Sequence, residues 1–180
     1  MLTLFKARTI IKQALERARE LHISISVAVC DPNGRLIALD QMDESVDWEV
    51  DRCSMGKAVA AAITGRPSDR LFEHFRVGGP RLPSFHHVVP PRGQRGGLPV
   101  VEAGIVQGGC GVSGAPRPEQ DEECAAAGIA ALGISVTKPA PLRSQGVTLR
   151  QTTPLPGPTY VRERLVTNAF SGCAARALRL

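Results

Sequence analysis

The sequence predicts an α+β fold, helices packed on an antiparallel sheet, and three observations carry that prediction. Two stretches of alternating apolar residues each fold back through a turn signal, so the strands come as hairpins. Apolar residues at helical spacing bracket and separate those hairpins. No strand–helix–strand crossover is needed to join them, which removes the reason for a parallel sheet.

Leu4, Ala7, Ile10, Ile11, Ala14, Leu15, Ala18 and Leu21 recur at helical spacing with Lys, Arg, Gln and Glu between them. This predicts an amphipathic first helix, capped by Thr3. "HISISVAVCD" then sets Ile23, Ile25, Val27 and Val29 against Ser24, Ser26, Ala28 and Cys30, the period of two that marks a strand. Asp31-Pro32-Asn33-Gly34 is a turn and "RLIALDQM" the returning strand, giving a hairpin over residues 24–42. A helix over about 46–63 follows. Asp47, Glu49 and Asp51 lie near its start, where acids complement the helix dipole, and Gly65 and Pro67 stop it.

A short helix is expected over 69–75, and then 76–97 is rich in Gly, Pro, Arg and His without a period, long for a plain connection. "LPVVEAGIVQGGCGVSG" reads as a second hairpin turning at Glu102-Ala103-Gly104. In "APRPEQDEECAAAGIAALG", Pro118 suits a first helical turn, Glu119, Asp121, Glu122 and Glu123 suit its dipole, and Gly133 suits its end. The predicted order is α-β-β-α-(α)-β-β-α.

At 180 residues and 19.2 kDa the chain has room for one cored domain, expected over 1–132, with a tail over 133–180. The net charge of +5 belongs to that tail. Seven Lys/Arg face one Asp/Glu from Gly133 onward, against 15 and 16 in the first 132 residues. With five Phe, one Tyr and one Trp as well, a nucleic-acid face on the body is not supported.

No apolar run approaches the ~20 residues of a membrane span, and the N-terminal stretch lacks a signal-peptide pattern. A cytoplasmic protein is expected, without membrane partners. Five cysteines (Cys30, Cys53, Cys110, Cys124, Cys173), odd in number and without a C-x-x-C pair, fit reduced thiols and no metal site. The tail carries five prolines by Pro158 and no sustained period, the composition of a poorly ordered linker. Its Arg/Pro/Leu/Ser bias, shared by 76–95, is also what a GC-rich gene yields when read out of frame. Resequencing with an intact-mass measurement tests that origin.

"ISISVAVCDPNGRLIALDQMD", "SMGKAVAAAITGRPS", "RGGLPV" and "GGCGVSGAPRPEQDEECAAAGIAAL" occur in an order that resembles the GlcG/HbpS-like family. The resemblance runs from Ala7 to Leu132, strongest at G-G-x-P and G-x-x-G-V-S-G-A-P, poor over 76–95 and absent after Gly133. It implies a profilin-like antiparallel sheet flanked by helices, assembled into homo-oligomers. The family's activities differ: some members bind haem or corrinoids, and one branch comprises 4-hydroxylaminobenzoate lyases. The chain looks most similar to that branch, which implies conversion of 4-hydroxylaminobenzoate to 3,4-dihydroxybenzoate (protocatechuate) and ammonia in 4-nitrobenzoate degradation, with no cofactor.

A small aromatic carboxylate substrate needs a cation or N–H groups, a general acid for the departing hydroxide and a base for water. Lys57 and Arg95 are the candidate anion binders; Lys57 can equally be a lysine at the core edge and Arg95 a solvated loop arginine. Glu49 and Asp51, nearest to Trp48, are the candidate acid and base, since a carboxyl against an indole has its pKa raised. Dipole-complementing acids beside a packed Trp are the alternative. His86 or His87 is a secondary proton carrier. Gly109, Gly111 and Ser113 would line the pocket floor, although a bare glycine strand also serves plain close packing.

The second reading is a non-covalent haem or corrinoid protein. His86, His87 or Met42 would serve as axial ligand, and Arg92 and Arg95 would meet the propionates. A third is a non-catalytic oligomer built on the small-residue faces "AVAAAI" and "CAAAGIAAL".

Overall fold

The computed structural model describes residues 1–43, 49–76 (without the side chains of 74–76) and 91–134. Trp48, His86, His87, the start expected for the second helix and the tail beyond 134 lie outside the described residues. Helix α1, Leu4–Glu20, opens where predicted: Thr3 Oγ1 accepts the Lys6 N–H at 3.3 Å, satisfying one of the unpaired N–H groups of the first turn. The chain leaves α1 through His22, whose φ of 54° turns it sharply. The Ile23 N–H still bonds Ala18 O at 3.0 Å. Strand β1 is therefore shorter than the alternating pattern and runs Ser26–Cys30.

A turn whose Asn33 and Arg35 N–H groups both bond Asp31 Oδ1 returns the chain as β2, Leu36–Gln41. Helix α2, Val50–Thr64, ends at Gly65 with a left-handed φ of 63°. A 3-10 turn, Ser68–Arg70, and α3, Leu71–Arg76, follow. The second hairpin is β3, Gly97–Glu102, and β4, Ile105–Ser113, turning through Ala103 and Gly104, both at positive φ. Helix α4 is Pro118–Ala130, and the chain closes it with a turn at Gly133.

The four strands form one antiparallel sheet in the order β2-β1-β4-β3. The two hairpins meet along their inner strands, β1 and β4, and that pairing puts β1 at the centre, buried on both faces. On one face Val27, Val29, Val100, Cys110 and Val112 pack against Ile10, Ile11 and Ala14 of α1 and Cys124, Ala125 and Ile129 of α4. On the other, Ala28 and Cys30 meet Ala58, Val59 and Ala62 of α2. Each fully buried Val or Ile contributes ~1.5–3 kcal/mol, so the α1/α4 side carries most of the hydrophobic stabilisation.

The α2 face is built from small residues for a visible reason. A Cβ on Gly111 would lie 2.1 Å from Ser54 O, and one on Gly109 2.2 Å from Ala58 O. The glycines let the α2 backbone rest directly on β4. Among the described residues no helix is long and apolar enough to cross a membrane.

Candidate functional site

Of the residues singled out from sequence, Ser113 lies at the end of β4, and Glu49, Asp51 and Lys57 lie on α2, the helix whose backbone rests on that strand. Ser26 sits across from Ser113 in the β1–β4 register. Its hydroxyl lies 3.1 Å from that of Ser54, which donates to Asp51 O at 2.8 Å. Ser26 and Ser54 are fully buried and Ser113 half-buried. Glu49 stands at the N-terminus of α2, with Asp51 in its first turn. Arg92 is tied to the same helix, its N–H donating to Gly56 O at 2.9 Å and its guanidinium 3.6 Å from Glu49 Oε2. Both side chains of that pair are about one-third exposed, and 3.6 Å is long beside the ~2.7–2.9 Å of a charge-assisted hydrogen bond.

Lys57 lies one turn along, where α2 passes the end of β4. Its Nζ donates to Val112 O and to Asp121 Oδ2, both at 2.8 Å, and Asp121 Oδ1 accepts the Ala115 N–H at 3.0 Å. The side chains are 4% and 6% exposed, so this is a buried ion pair joining helices from opposite faces of the sheet. Burial pushes the Asp121 carboxyl above the usual carboxylate range, and the Lys57 charge offsets only part of that rise. Gly96, at φ +112°, completes the corner, since a Cβ there would come within 2.7 Å of Asp121 Cβ and 3.1 Å of Lys57 Nζ.

Sequence reasoning missed Asp121 as a partner, counting it among four first-turn acids. Its position was legible: with Cys124, Ala125, Gly128 and Ile129 it forms the buried stripe of α4.

Arg95 faces outward, bonding Glu122 at 2.5 Å and Glu119 at 3.1 Å. The hydrogen bond to Glu122 is the main reason its pKa rises. Gly109 and Gly111 lie under α2, where helix backbone occupies the space above them. Met42 packs at the edge of the α1-side core, and His22 is exposed at the end of α1.

Burial pushes the Cys30 and Cys124 thiols up to about 12 and Cys110 upward too, leaving them inert. Among the described residues no group of three His, Cys, Asp or Glu could hold a metal ion. A shallow groove of about 560 Å³ runs along the outer side of α4, lined by Ala126, Ala127 and Ala130 with Arg17 and Glu123 at its rim. None of the candidate catalytic or substrate-binding residues lines it.

The match with known proteins is strong in fold and family. Residues 2–130 match the family model described as "Haem degrading protein HbpS-like". The crystal structure of HbpS is 30% identical with a TM-score of 0.64, covering 74% of this chain and 92% of that one. A double-mutant HbpS from Streptomyces reticuli is likewise 30% identical, with a TM-score of 0.63 over 74% of this chain and 88% of its own. A complex of PduOC with haem shares the fold at 24% identity and a TM-score of 0.63, covering 77% of this chain and 99% of its own. No curated protein sequence matches significantly. With its hairpin pair, its glycine-seated α2 and a match over two-thirds of its length, the chain belongs to the HbpS-like family.

Proposed function

We propose that this protein is a cytoplasmic, non-covalent haem-binding member of its family. The observation that carries the reading is the match of residues 2–130 to a family described by haem degradation, supported by 30% identity to HbpS across nearly all of that chain. The four free thiols among the described residues suit a reducing compartment.

The residues fit haem in part. Arg92, half-buried and loosely held by Glu49, suits a propionate. Of the three axial-ligand candidates His86, His87 and Met42, Met42 is engaged with the core. His86 and His87 are therefore the ligands to test. Haem, when bound, supplies an iron centre for redox and ligand chemistry. The protein's part is to orient and shield it.

The competing reading is the 4-hydroxylaminobenzoate lyase. Its two proposed anion binders already hold carboxylates, Lys57 that of Asp121 and Arg95 those of Glu119 and Glu122. A substrate carboxylate would have to displace an internal partner, at greatest cost in the buried pair. Haemin titrated into His86→Ala and His87→Ala proteins tests the proposal. Loss or displacement of the Soret band in one variant is expected. Wild-type spectra and affinity in both would remove the histidine assignment. Release of ammonia from 4-hydroxylaminobenzoate above the protein-free rate would restore the lyase.

A further inference from the structure

Two of the motifs singled out in the sequence, "SMGKAVAAAITGRPS" and "RGGLPV", meet in the fold at a single hydroxyl. Ser68, in the 3-10 turn that follows α2, is fully buried. Its Oγ donates to Gln94 O and accepts the Gly97 N–H at 2.9 Å, so both bonding modes of the hydroxyl are used. Glycine permits the approach, since a Cβ on Gly97 would lie 2.7 Å from Ser68 Oγ.

The segment that this hydroxyl closes, 92–97, is attached to the body at every residue. The Arg92 N–H bonds Gly56 O, and Gly96 O accepts the Val112 N–H, both at 2.9 Å. Gly93 lies against the Phe72 ring, where a Cβ would come within 2.6 Å. Arg95 bonds Glu122 and Glu119. These attachments differ in strength. The Arg95 pairs are exposed, so solvent screens them, and the ring over Gly93 is 67% exposed. Ser68 is the buried anchor nearest to Arg92 on its C-terminal side, and its removal would take the acceptor from a buried N–H.

We propose that Ser68 is a positioning residue for Arg92: by pinning Gln94 and Gly97 it holds the Arg92 guanidinium beside the start of α2, where an anionic group of the ligand meets it. The proposal rests on the haem reading, in which that group is a propionate. Of the two cations on the segment, Arg95 is engaged by two carboxylates, while Arg92 stands 3.6 Å from one, Glu49. Arg92 is thus the cation that a ligand carboxylate can take. A side chain whose backbone is fixed beforehand loses less freedom on binding. Loss of the anchor therefore lowers affinity through Arg92 and spares contacts made elsewhere.

Ser68→Ala, Arg92→Gln and the double variant of the full chain, titrated with haemin and with haemin dimethyl ester, test the proposal. The ester's propionates carry no charge. Ser68→Ala is expected to weaken haemin about tenfold and the ester less than about twofold. With Arg92→Gln already in place, Ser68→Ala should add less than about twofold to the haemin loss. Ser68→Cys, which fills the space with a weak donor and acceptor, repeats the comparison without a cavity. Phenylglyoxal labelling of the haem-free protein, mapped by mass spectrometry, is expected to run about threefold faster at Arg92 in both Ser68 variants, with exposed Arg35 as internal reference. Wild-type labelling of Arg92 in both variants, or equal loss of affinity for haemin and its ester, would overturn the proposal. A wild type that binds no haemin, with Arg92 labelled faster in both variants, would overturn the haem reading alone.

Discussion

Asp121→Ala removes the carboxylate that holds the Lys57 ammonium, leaving a charge that is 4% exposed with Val112 O as its remaining bonded acceptor. Breaking a buried pair in this way costs about 3–5 kcal/mol, and the Ala115 N–H loses its acceptor as well. Against a total stability of roughly 5–15 kcal/mol, the variant is expected to sit near the edge of folding. The raised Asp121 pKa means that burial costs the carboxylate more than its partners return.

Removing both charges should therefore restore most of the loss. Lys57→Met/Asp121→Leu is expected within about 2 kcal/mol of wild type, on either side. Urea unfolding of wild type, both single variants and the double variant at pH 7 gives the cycle directly. A cost below about 1 kcal/mol for Asp121→Ala, the size of an exposed pair, or strict additivity in the cycle, would refute the buried-pair reasoning.

The same pair has a pH signature. A carboxyl whose folded pKa is raised contributes stability that is fully present below its unfolded value, ~3.9, and is lost as pH rises through the folded pKa. Lys57→Met removes the offsetting cation, so its stability should fall more steeply than that of wild type from pH 4 toward neutrality. Asp121→Asn should lack this component, and parallel urea–pH profiles for the two would contradict the assignment. Gly111→Ala drives a methyl toward Ser54 O at 2.1 Å and Ala58 N at 2.4 Å, and is expected to cost about 3 kcal/mol or more in urea unfolding. Gly104→Ala, with nothing within 4 Å but φ +77°, should cost ~1–2 kcal/mol. Alkylation mapped by mass spectrometry should label half-exposed Cys53 in the native protein and spare Cys30, Cys110 and Cys124. Rapid labelling of any of those three would contradict their burial.

Much of the fold was legible because its signals are local. The α1 period, the Thr3 cap, the Asp31–Gly34 turn, the Gly65 stop and the Pro118 start each depend on a few adjacent residues, and each is found in place. The shorter β1 was not legible: the alternation runs back to Ile23, but the N–H of that residue is taken by Ala18 O at the end of α1. The site was less legible because its pairings are long-range. Lys57 and Asp121 are 64 positions apart, and no spacing rule joins them. Arg95 looked like a free anion binder until α4 brought Glu119 and Glu122 to it. Gly109 and Gly111 carried two meanings in sequence, and at these positions the requirement for glycine comes from the α2 backbone.

The most direct measurement is the absorption titration of the full-length protein with haemin, read at the Soret band against a buffer blank. A saturable shift with one haem per chain is expected. A band that follows free haemin at every ratio, or stays unsaturated well beyond one equivalent, would contradict the haem-binding function proposed for this chain.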